Sequence, residues 1–134
     1  MSNFIGFALD CVDRTLLENQ YRLPKLWMIG HPGKLAKILD NVWETHSGKT
    51  ESAVGAIYRT AKEFGWQKTF LKKLEESKSV EVMIEILRSE KKALSFWSEI
   101  EEKIATLVSV RLKHVSQVAV RLFEMDGKAL GKRT

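Results

Sequence analysis

Sixty consecutive residues, Trp66 to Met125, contain no Gly, Pro, Asn or Asp. Turns draw on those four types because they supply a positive φ, a preset φ or a local side-chain hydrogen bond. The stretch therefore argues against a series of hairpins and for long helices. Within it Val82, Ile86, Ala93, Trp97, Ile100, Ile104, Val108, Val115, Val118 and Leu122 lie on one stripe, with a mean step of about 3.6 residues. The simplest expectation is one continuous helix over 80–125, about 70 Å long. A compact globule of this chain length has a radius of gyration of only about 14 Å. Such a helix would outrun its own domain, and its apolar distal part would need cover from another chain. The competing reading takes the alternation of Val80, Val82, Ile84 and Ile86, and of Val118, Val120 and Leu122, as strands near 80–87 and 106–124, which gives an α+β fold.

The breakers cluster in the first half, and the segments between them read as shorter helices. Ser2 can cap a helix carrying Ile5, Leu9, Val12 and Leu16, which should end before Pro24. Gly30-His31-Pro32-Gly33 reads as a plain turn. A second helix carries Leu35, Ile38, Leu39 and Val42, and a third runs from about Thr50 to a C-terminal signal at Gly65. Trp66, Phe70 and Leu74 mark a fourth, closed by Ser77-Lys78-Ser79. The expected fold is all-α: about five helices in one domain over 1–126, with a long C-terminal helix packed in an oligomer and a flexible basic tail over 127–134.

At 134 residues and 44% hydrophobic the chain can bury a core. A single cysteine, Cys11, excludes an internal disulfide framework and fits a reducing, cytoplasmic compartment. No apolar run reaches the roughly 18–20 residues of a membrane span, so integral membrane association is not expected.

Few residues suggest chemistry. Ser47-Gly48-Lys49-Thr50 resembles the end of a phosphate-binding loop, but Trp43 stands where the full pattern needs glycine. The segment reads better as a polar turn with Thr50 as a helix cap. His31, His46 and His114 share no metal-ligand spacing, and Cys11, between Asp10 and Asp13, reads as a core residue. Glu75-Glu76 and Glu101-Glu102 adjoin lysines at helix-neighbour spacing and read as solvated faces. Trp27, Trp43 and Trp66 read as packing residues, and Trp97 as a contact between chains. Neither a catalytic residue nor a cofactor or metal site is expected.

Arg111 falls in the middle of the apolar stripe, where a charge is costly unless paired. It calls for an ion pair with a glutamate of a neighbouring element, for an acidic partner, or for a head that reaches water. The functional expectation is a non-enzymatic interaction module that presents Trp97, Arg111, Val115, Val118 and Leu122 to another protein or to a second copy. The formal charge of +5 supports an alternative, a nucleic-acid-binding protein. Its phosphate contacts would come from Lys34, Lys37, Lys49, Lys68, Lys72, Lys73, Lys113, Arg121, Lys128, Lys132 and Arg133. A third reading takes 104–125 as a membrane-active amphipathic helix.

Overall fold

The structure is a computed structural model that describes residues 5–43 and 50–132. Its elements are α1 (Ile5–Glu18), β1 (Leu23–Gly30), α2 (Pro32–Leu35), a 3₁₀ turn (Ala36–Asp40), α3 (Thr50–Phe64), α4 (Lys68–Glu75), α5 (Val80–Arg88), α6 (Ala93–Arg111) and β2 (Val115–Leu122). The fold is α+β, which corrects the all-α expectation: β1 and β2 pair in parallel, from Leu23 opposite Val115 to Gly30 opposite Leu122. Parallel strands need a long crossover, and everything from α2 to α6 supplies it.

The continuous helix over 80–125 is corrected twice. Between α5 and α6 the chain turns through Ser89 to Lys92, and the helical phase resets there. Val80, Met83, Ile84 and Leu87 are the buried residues of α5, whereas Val82, placed on the stripe, is 43% exposed. At the far end α6 stops at Arg111 because α1 reaches across. Asp13 Oδ1 accepts the His114 N–H at 2.8 Å and lies 3.2 Å from His114 Nδ1, so the chain leaves the helix and enters β2. The α+β alternative placed a strand near 80–87, which is helix α5, and a second over 106–124, of which Val115–Leu122 is strand.

In the first half, α1 ends as a Schellman motif: Tyr21 N–H donates to Leu16 O at 2.9 Å and Gln20 N–H to Leu17 O at 3.0 Å, with Gln20 at φ 52° in the place glycine usually takes. β1 follows. Leu23 N–H donates to His114 O, and Gly30 O accepts from Phe123 N–H. Because neighbouring residues of a strand face opposite edges, an odd and an even residue can both face β2 only if the pairing changes parity between them. The register skips Pro24, a residue with no N–H to give to a ladder. Beyond that point Leu26, Met28 and Gly30 face β2, and the backbone of Trp27 and Ile29 faces outward.

The core lies between α6, β2, α3 and α5. α6 contributes Phe96, Trp97, Ile100, Ile104 and Val108, and β2 contributes Val115, Val120 and Leu122. The chain then folds back, which corrects the flexible tail expected from residue 127: Leu130 is buried with its N–H on Leu122 O at 2.9 Å, and Lys132 N–H donates to Ser98 Oγ at 2.7 Å. No helix among the described residues is long and apolar enough to cross a membrane.

Candidate functional site

Ligands of open α/β sheets gather at the carboxyl ends of parallel strands. In this chain the carboxyl end of β1 runs directly into Gly30-His31-Pro32-Gly33-Lys34. His31 precedes a proline and is extended at φ −85°, ψ 141°, as the proline ring demands. Its Nδ1 accepts the Gly33 N–H at 3.0 Å, and a Cβ at Gly33 would press on the ring at that atom. A neutral ring held this way carries its proton on Nε2. That atom is buried and, among the described residues, meets no hydrogen-bond acceptor. The nearest carboxylate, Glu81 of α5, stands 3.6 Å away, beyond a good hydrogen bond. A buried donor without an acceptor costs free energy, and a ligand acceptor would remove that cost.

His31 and Lys34 line a groove of about 560 Å³. α1 lines it through Ile5, Ala8, Leu9 and Val12, β1 through Leu26, Met28 and Ile29, and α2 through Leu35. An apolar groove whose lining also includes a histidine and a lysine suits an amphiphilic, acidic ligand.

A second polar centre lies across β2. Glu101 on α6 is buried, and its Oε2 accepts the Leu122 N–H at 2.7 Å while Oε1 stands 3.9 Å from Arg121. Gly131 is packed so tightly on this carboxylate that a Cβ there would collide with it. Burial raises the Glu101 pKa, and the Leu122 N–H and Arg121 offset only part of that. The solvated face expected for Glu101-Glu102 therefore holds for Glu102 alone. A raised pKa means the folded state holds the proton more tightly. The associated stability is present below the ordinary value of 4.5 and is lost as pH rises through the folded value. Glu101→Gln keeps an acceptor for the Leu122 N–H and removes the titration. We expect its stability relative to wild type to be higher at about pH 7 than at about pH 4 in urea unfolding. An equal difference at both pH values would show that the buried carboxylate does not titrate.

Asp10 and Asp13 have the opposite sign. The Arg111 hydrogen bond holds Asp10 below the usual carboxylate range. Burial pushes Asp13 up, but hydrogen bonds from the backbone and ring of His114 outweigh it and leave the pKa lowered. Their stabilisation is present above the ordinary value of 3.8 and fades as pH falls.

The stripe expected to bind a partner is mostly internal. Trp97, Val115 and Leu122 are in the core and Val118 is half-buried. Arg111 has its partner within the chain: Nε and a terminal nitrogen each lie 2.8 Å from an Asp10 oxygen, and the guanidinium stacks 4.5 Å from the Trp43 ring. The ion pair exists, with an aspartate of α1 rather than a glutamate.

Most of the basic residues do not converge, although Arg121 and Lys132 line one cleft beside Glu101. Lys68, Lys72 and Lys73 are exposed on α4, Lys113 precedes β2, Lys128 and Lys132 follow it, Arg121 neighbours Glu101, and Lys37 is fully buried in the 3₁₀ turn. Lys34 alone lines the groove. Lys49, His46, Arg133 and the first three residues of Ser47-Gly48-Lys49-Thr50 lie outside the described residues. The sequence reading missed His31; the available signal was an apolar run, Leu26 to Ile29, delivering Gly-His-Pro-Gly-Lys into a helix.

Residues 44–134 match the family model described as CbiD, C-terminal domain. The chain belongs to the CbiD family. A cobalt-precorrin-5B C(1)-methyltransferase of Ralstonia nicotianae is 44% identical over 131 residues, 98% of this chain and 34% of that protein. The enzyme of the same name from Chromobacterium violaceum is 39% identical over 132 residues, 98% of this chain and 35% of that protein. One from Moorella thermoacetica is 24% identical over 132 residues. The chain spans about a third of the length of the curated relatives it matches. No solved structure matches it. CbiD relatives carry the name of an enzyme, which overturns the expectation of a non-enzymatic adaptor and its nucleic-acid-binding alternative. The membrane-active helix falls with the fold, since 104–125 is the end of α6, a turn and β2.

Proposed function

We propose that this chain is the C-terminal part of an enzyme that transfers a methyl group to C1 of cobalt-precorrin-5B. We further propose that the groove at His31 and Lys34 binds that substrate. The observation that carries the reading is 44% identity across nearly the whole chain to a protein of that name. The Lys34 ammonium and the His31 ring would meet acidic groups of the substrate, and the apolar walls its apolar part. The part of the mechanism assigned to this chain is binding and orientation, which hold the accepting carbon toward the methyl donor. The free thiol of Cys11 fits the reducing cytoplasm as the site of the reaction.

The test replaces the aligned segment of the Ralstonia nicotianae enzyme with this chain. The chimera is expected to add one methyl group to cobalt-precorrin-5B, read by mass spectrometry. His31→Ala and Lys34→Ala should each lower kcat/KM by about 10- to 100-fold, the range set by one hydrogen bond to a charged group. Lys34→Arg should recover part of the loss. A folded chimera that binds no cobalt-precorrin-5B would overturn the functional reading. Full activity in both alanine variants would move the substrate away from this groove.

A further inference from the structure

We propose that the outer backbone edge of β1 is the seat of the remainder of the CbiD enzyme, which adds a strand along Trp27–Ile29 and leaves the groove to the ligand. The first observation is the sheet itself. Parallel sheets occur almost only with more strands and both faces covered, and a two-stranded sheet is marginal on its own. Here the described residues supply two strands. The second is the direction of the backbone. Gly30 O accepts from Phe123 N–H, so the N–H and C=O groups of Trp27 and Ile29 point away from β2, an open edge of the kind that takes a further strand.

The third observation is the apolar surface on that side. Ile29 is 66% exposed, and Trp27, 48% exposed, lies under Lys25 and Arg121 on the sheet face. A large apolar side chain left this exposed beside an open strand edge fits an interface better than solvent. The fourth names the occupant. Relatives align with this chain over only about a third of their length, so about two-thirds of a CbiD enzyme lies outside this segment and is the occupant we assign. An edge that offers both backbone groups and apolar contacts is the surface that fits. The proposal rests on family membership and not on the methyl-transfer reading, so the two fail separately: amide protection tests the first and methylation the second.

The experiment compares amide hydrogen exchange at Trp27 and Ile29 in this chain alone and in the chimera described above. Both amides should exchange rapidly in the isolated chain and at least about 100-fold more slowly in the chimera. Ile29→Asp should leave the melting temperature of the isolated chain unchanged and lower that of the chimera. If the chimera does not fold, the aligned strand of the intact Ralstonia nicotianae enzyme gives the same readout. Equal exchange in the chain and the larger protein would overturn the proposal. So would protection in the isolated chain that grows with its concentration, since a second copy would then be the occupant.

Discussion

Trp97→Ala is expected to destabilise the chain by about 3–5 kcal/mol, a large part of the roughly 5–15 kcal/mol that holds a domain of this size. The indole is 2% exposed and packs beside Phe96, ring centroids 5.5 Å apart, in a run of aromatic contacts that continues to Phe64, Trp66 and Phe70. Phe96 carries the contacts to the end of α3 and the start of α4, and truncation of Trp97 beside it opens a cavity in the core. Urea unfolding followed by circular dichroism would show a midpoint far below wild type. Had Trp97 been a contact between chains, the same substitution would leave a folded monomer and weaken only association. A folded Trp97→Ala chain with the wild-type midpoint would restore that reading.

The sequence made helix ends legible where they use local chemistry. Gly65, at φ 97°, closes α3, and Ser79 Oγ accepts the Val82 N–H to open α5. Both signals lie within a few residues of the event they control. The end of α6 gave no such signal because its cause, Asp13, is 101 residues away from His114. A stretch without turn-forming residues therefore did not mean a stretch without turns: the stop came from another helix. The apparent continuity of the stripe has a related origin. α6 and β2 both bury residues in one core, so helical spacing in the first and alternation in the second left apolar positions that a single period could thread.

β1 was hidden by Pro24 at its start and by its apolar run, which shows no alternation. Its edge position and the parity change at Pro24 accommodate the proline in a way that periodicity cannot reveal. The site at its carboxyl end was hidden for the same reason. Gly30-His31-Pro32-Gly33 has the composition of any turn, and only a strand before it makes the turn a strand-end site. Arg111 was different. Its charge inside an apolar stripe called for an ion pair, an acidic partner or a route to water, and the structure selects the first, with Asp10.

Val115→Glu separates the two architectures most sharply. On a continuous helix the substitution would sit on an exposed seam, abolish association and leave the domain folded. In the structure Val115 is 3% exposed and opens β2 opposite Leu23. Arg22 donates to Lys113 O and Ser116 Oγ on either side, but on the exposed flank, and Asp13 already places one carboxylate beside His114. A second carboxylate, buried without a cation of its own, should cost about 3 kcal/mol or more. Because burial favours the neutral acid, that cost should shrink as pH falls. Val115→Ala removes two methyl groups, about 1–2 kcal/mol, with no dependence on pH. Unfolding of both variants at about pH 4 and about pH 7 should therefore show a deficit that narrows on acidification for Val115→Glu alone. A Val115→Glu chain as stable as wild type at neutral pH would mean that this valine faces solvent and that β2 does not begin there.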